Sequence, residues 1–159
     1  MRGRRGRLGR LHSVCRHISG LISAQYAENP FGRTPRARGL KAKGLRYQRS
    51  VGEFLAKRHL DVRAGPWIHF SDRHGPGFAQ PDFVIHYAPE RWIVLEAKLT
   101  QTPNAFEQLI HLYLPLLSHL HPNVELVPVQ VCRNLREPPQ LLIEDLSEAS
   151  PGATWHWLS

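Results

Sequence analysis

Gln80-Pro-Asp-Phe-Val-Ile-His-Tyr-Ala-Pro-Glu-Arg-Trp-Ile-Val-Leu-Glu-Ala-Lys-Leu99 carries the pattern that decides the fold. From Pro81 to Tyr87, Phe83 and Ile85 alternate with Asp82, Val84 and His86. From Arg91 to Leu99, Ile93, Leu95, Ala97 and Leu99 alternate with Trp92, Val94, Glu96 and Lys98. A period of two is that of a β-strand. Ala88-Pro89-Glu90 is short enough to turn the chain back on itself, so the two strands form an antiparallel hairpin. Partners across it have numbers summing to about 178, which sets Asp82 opposite Glu96. The second strand is apolar on both faces until its last charged residues, as a central strand is.

Outward from the hairpin, the upstream stretch Leu45 to Leu60 lacks proline and repeats Val51, Phe54 and Leu55 at helical intervals, which predicts a first helix. Gly65-Pro66 breaks it, Trp67 to Phe70 reads as a strand, and Ser71 to Gly77 reads as a loop. Downstream, a helix is expected from Pro103 to His119, capped by Thr102 and kinked at Pro115. Val124 to Cys132 returns as a strand, and Leu141 to Ile143 adds a short edge piece. The class is α/β: a mixed central sheet of four to five strands flanked by helices, in the order helix-strand-strand-strand-helix-strand. Residues 11–27 hold Leu11, Val14, Ile18 and Leu21 at roughly helical spacing and suggest a short helix.

The 159 residues suit one domain, divided into a basic Arg/Gly-rich arm over 1–43, a core over 44–146 and a tail over 147–159. Residues 1–50 hold thirteen Lys or Arg against Glu28 alone, a net of +12, whereas the remainder carries −4. A basic arm on a weakly acidic body fits a polyanionic partner, because neutralising phosphates releases condensed counterions. DNA is the expected partner, its backbone gripped without sequence readout by Arg2, Arg4, Arg5, Arg7, Arg10, Arg36, Arg38, Lys41 and Lys43. No apolar run is long enough to cross a membrane, and the Arg/Gly start lacks the apolar segment of a signal peptide. A cytoplasmic protein of a prokaryotic or phage-infected cell is expected. Cys15 and Cys132 show no paired spacing, which argues against a disulfide framework. Oligomeric state stays open between monomer and homodimer, with Leu112 to Leu120 and Trp155-His-Trp157 as the candidate contact stretches.

Directly opposed carboxylates, with Cβ atoms roughly 4.5–5.5 Å apart, destabilise a sheet unless something compensates. A divalent cation held by Asp82 and Glu96 does so. Lys98 falls on the same face two residues beyond Glu96, placing an ammonium beside that ion. Oxygen ligands, open coordination positions and a nearby cation suit phosphodiester hydrolysis. The competing structural readings are a strand-start aspartate beside a turn and an exposed edge pattern of charges. Ending an apolar central strand in charges is costly without a partner, which favours function. The ten histidines, His119, His121, His69 and His74 foremost, form no complete ligand set, so no structural zinc site is expected. No G-x-x-x-x-G-K-[ST] occurs to support an ATPase.

Pro81-Asp82 followed by Glu96-Ala97-Lys98 resembles the signature of the PD-(D/E)XK nuclease superfamily, and the predicted element order resembles that superfamily's core over roughly residues 44–132. The resemblance implies a restriction-endonuclease-like fold and a compact stand-alone nuclease of phage or mobile-element type. It implies an Mg²⁺-dependent enzyme, with Mn²⁺ as substitute, acting on DNA through Asp82, Glu96 and Lys98. It further implies the Ala97 carbonyl and Glu53 as metal ligands, and Gln108 as a helix residue near the site. The alternative is a non-catalytic nucleic-acid-binding protein on a nuclease-like scaffold.

Overall fold

The computed structural model describes residues 16–32, 36–58, 61–136, 141–142 and 151–157. Along the chain run β1 (Ser23–Ala27), α1 (Gly39–Lys57), β2 (Val62–Ala64), β3 (Trp67–Asp72), β4 (Gly75–Ala79), β5 (Phe83–Ala88) and β6 (Arg91–Thr100). They are followed by α2 (Pro103–Gln108), a π-helical turn (Leu109–Tyr113), α3 (Leu114–Leu120), β7 (Glu125–Asn134), β8 (Leu141–Leu142) and β9 (Ala153–His156). The protein is α/β. Six strands form a mixed sheet in the order β2-β5-β6-β7-β9-β8, while β1-β3-β4 form a second sheet.

The hairpin register is that expected: Phe83 pairs with Leu95, Val84 with Val94 and Ile85 with Ile93, before an irregularity ahead of Ala88 and Arg91. β7 lies parallel to β6 on its other side, so β6 is central. On one face Tyr47, Val51 and Leu55 of α1 pack against Phe83, Ile85, Ile93 and Leu95. Gly52 lets α1 approach closely, since a Cβ there would stand 3.0 Å from the Phe83 ring. On the other face, Val84 and Val94 meet Leu109, Tyr113, Leu116 and Leu117, together with Ile68 and Phe70 of the small sheet. Each such fully buried aliphatic side chain contributes about 1.5–3 kcal/mol.

Several expectations differ. Trp67 to Phe70 is a strand, but it lies in the small sheet, and β2 takes the edge beside β5. The expected loop Ser71 to Gly77 is instead a tight hairpin, with Asp72 paired to Gly75 and β4 beyond it. The helix expected over 11–27 is absent from its described part, where residues 23–27 form β1 paired with β3. Its apolar spacing serves a different end, because Ile18, Leu21 and Ala24 pack on the second core. Residues 153–156, expected as tail, form β9 inside the large sheet, with Trp155 fully buried. Both candidate dimer stretches are thereby largely spent on the core, since Leu116 and Leu117 are fully buried too. Arg2, Arg4, Arg5, Arg7, Arg10 and Ile143 lie outside the described residues.

Pro115 does not break the second helical region but changes its pitch. It has no N–H to offer the carbonyl of His111 four residues before it. That carbonyl accepts the Ile18 backbone N–H at 2.8 Å, which docks the segment before β1 onto the helix. The preceding turn is widened to π geometry, with the Leu114 N–H donating to the Leu109 carbonyl. None of the described helices is long and apolar enough to cross a membrane.

Candidate functional site

Asp82 immediately precedes β5, and Glu96 and Lys98 lie two residues apart near the end of β6. The register carries the carboxylates together. Glu96 Oε1 accepts the Asp82 backbone N–H at 3.1 Å, and Asp82 Oδ2 accepts the Ala97 backbone N–H at 2.9 Å. Lys98 Nζ stands 3.1 Å from Glu96 Oε2 and donates to Gln108 Oε1 at 2.9 Å. Asp82, Glu96, Lys98 and Gln108 therefore form one connected chain of polar contacts. Gln108 is the last residue of α2, immediately before the π-helical turn, a type of irregularity frequent at functional sites.

Glu96 is only 2% exposed, at the end of an apolar strand. Burial pushes its carboxyl well above the ordinary carboxylate range and the neighbouring Asp82 charge pushes it further, against the pull of Lys98. Asp82 is raised as well, chiefly by burial, with the Ala97 N–H and Lys98 opposing. One ammonium does not neutralise two crowded carboxylates. Both keep lone pairs beyond the bonds they accept, a set of hard oxygen donors that fits a divalent ion such as Mg²⁺.

A stability prediction follows from the direction of these shifts. Groups whose folded pKa is raised stabilise the fold fully below their unfolded pKa and lose that contribution as pH rises through the folded value. The metal-free protein is expected to melt at progressively lower temperature as pH rises from the ordinary carboxylate range through neutrality. Glu96→Gln removes one of the two charges, so it should flatten this slope and raise the neutral-pH melting temperature. Thermal melts across pH check it; an unchanged slope in Glu96→Gln would assign the pH dependence to other groups.

Glu53 is exposed on α1, opposite in phase to Val51 and Leu55, yet it borders the same open cavity of about 550 Å³ as Asp82. Arg49 and Gln48 line that cavity as well. A second cavity, of about 650 Å³, lies beside α1 at the ends of β6 and β7 and is lined by Lys43, Arg46 and Arg133 with Ser50 and Asn134, and among the described residues by no acid. Of the basic residues expected to bind phosphate, Lys43 reaches a cavity. Arg36, Arg38 and Lys41 are exposed on and before α1.

Arg46 and Arg49 fall within the basic first fifty residues expected to grip phosphate, and Arg133 lies outside them. Arg46 and Ser50, three and seven residues beyond Lys43, share its helix face. Arg133 joins them only through the parallel pairing of β7 with β6. Gln130 was missed too. It sits beside Glu96 in register, is 1% exposed, and accepts the Thr102 N–H at 2.9 Å, fixing the start of the helix that presents Gln108. Thr102 is the cap expected, its hydroxyl accepting the Asn104 N–H.

No protein family matches the chain, and no curated protein or solved structure does either.

Proposed function

We propose that the protein is a metal-dependent nuclease that hydrolyses DNA phosphodiester bonds, as its resemblance to the PD-(D/E)XK superfamily implies. The observation that carries this reading is the meeting of Asp82, Glu96 and Lys98 at one end of a buried hairpin. Asp82 and Glu96 are the residues to hold Mg²⁺, with the Ala97 carbonyl and Glu53 as further ligands by resemblance. When bound, the ion supplies a water of lowered pKa and positive charge against the phosphate.

The protein's own groups do the rest. Lys98, braced by Glu96 and Gln108, orients the attacking water and stabilises negative charge developing on the phosphate. Gln108 holds the Lys98 ammonium in that position and is a positioning residue. Lys43, Arg46 and Arg133 offer the phosphate backbone three cations in one concave surface, contacts that position a substrate without reading its sequence.

Supercoiled plasmid incubated with the full chain tests the reading. Nicked or linear product should form with Mg²⁺ or Mn²⁺ and disappear in excess chelator. Cleavage that persists in chelator would end this mechanism. A plasmid bound and left intact with either metal would favour a non-catalytic binding protein.

A further inference from the structure

A second constellation of ligands lies outside the Asp82–Glu96–Lys98 site. His17, from the segment before β1, meets Glu107 of α2 and His111 of the π-helical turn. Their ligand atoms all lie within 4.8 Å of one another. His17 Nε2 is 3.1 Å from Glu107 Oε2, and His111 Nε2 is 3.8 Å from the same oxygen. The two imidazoles stack with centroids 4.0 Å apart and planes inclined by 20°.

We propose that His17, Glu107 and His111 form a binding site for a transition-metal dication of the zinc type, which fastens the segment preceding β1 to the helical region that presents Gln108. Two imidazoles and a carboxylate are a donor set for Zn²⁺, with the fourth position left to water; Mg²⁺ prefers oxygen alone. A tetrahedral ion with bonds near 2.0–2.1 Å needs ligand atoms roughly 3.4 Å apart. The His17–Glu107 distance already satisfies this, His111 has to close on the Glu107 oxygen by about half an ångström, and the two imidazole nitrogens, within 4.8 Å of each other, have to approach by up to about 1.4 Å as the rings unstack. The side chains are between 44% and 55% exposed, so the ion can enter and the rings can tilt.

Backbone order prepares the site. Arg16 is anchored to the buried Asp72 carboxylate, and the Ile18 N–H is bonded to the His111 carbonyl, so His17 is held from both sides. Glu107 and His111 are four apart on one helical face. The site does not depend on the nuclease reading, since it shares no ligand with Asp82 or Glu96. Sequence spacing could not reveal it, because His17 is ninety residues from Glu107.

Calorimetric titration of the full chain with Zn²⁺, repeated with Co²⁺ to read its visible absorption, tests the proposal. One tight ion per chain is expected, with micromolar or stronger affinity. His17→Ala, Glu107→Gln and His111→Gln should each weaken it at least about tenfold. The double variant Asp82→Asn with Glu96→Gln should retain it. Zinc should also slow hydrogen exchange at the Ile18 amide in the wild-type chain but not in Glu107→Gln. Absence of a tight ion in the wild type, undiminished affinity in all three ligand variants, or its loss in the Asp82 and Glu96 double variant would each overturn the site.

Discussion

Asp82→Asn and Glu96→Gln should each lower plasmid-cleavage turnover by about a thousandfold or more while DNA affinity is kept or rises. Each change removes one negative charge from the proposed metal cage with almost no change of shape, so the loss falls on transition-state stabilisation and not on the fold. Affinity is expected to hold because removing a carboxylate also removes repulsion toward phosphate. Lys98→Ala should reduce cleavage severely yet leave Mg²⁺ binding largely intact, since the ammonium acts on water and phosphate. Glu90→Gln, at an exposed turn position on the same hairpin, is the control and should be silent. Turnover and binding measured on the same four variants decide it. Equal damage from Glu90→Gln and Glu96→Gln, or normal cleavage by all three site variants, would place the chemistry elsewhere.

Trp155→Ala should cost about 3–5 kcal/mol of stability, the range for emptying a buried aromatic site. Trp155 pairs with Val131 on one side and Leu141 on the other, and is packed into the core formed by α1 and the large sheet. Its neighbour Trp157 extends the same support. Its ring stands 5.1 Å from Phe54, and its carbonyl accepts the Tyr47 hydroxyl at 3.0 Å. Removing residues 151–159 should therefore unfold the protein and not merely trim it. Denaturant titration measures the first effect, and circular dichroism of the truncated chain the second. A stable truncation would show that β9 is dispensable to the large sheet.

The hairpin was legible because its information is local. Alternation over Pro81 to Leu99 together with a short turn leaves one register that buries Phe83, Ile85, Ile93 and Leu95 on a common face, and a slip by one residue would invert every side chain. The same register brings Asp82 to Glu96, and a period of two brings Lys98 to Glu96. The α1 core face and the Thr102 cap were legible for the same reason, since each depends on neighbours within one or two turns. Glu53 shows the limit of helix phase. It points away from the buried stripe, yet it shares a cavity with Asp82 because α1 crosses near the end of β5.

The α/β class, the central hairpin with its register, the two main helical regions and the placing of Asp82, Glu96 and Lys98 on one face are encoded locally. Each of these follows from side-chain periodicity within a segment. Long-range packing sets the rest: β9 enters the large sheet, β3 lies in a second one, and His17 meets Glu107 and His111. Those outcomes depend on which distant apolar surface a segment can cover. Ala153-Thr-Trp155-His156 is too short to announce a strand, but β7 offers an open row of backbone groups and α1 a core that lacks a large side chain without Trp155. Pairing and burial there outweigh the segment's weak local preference.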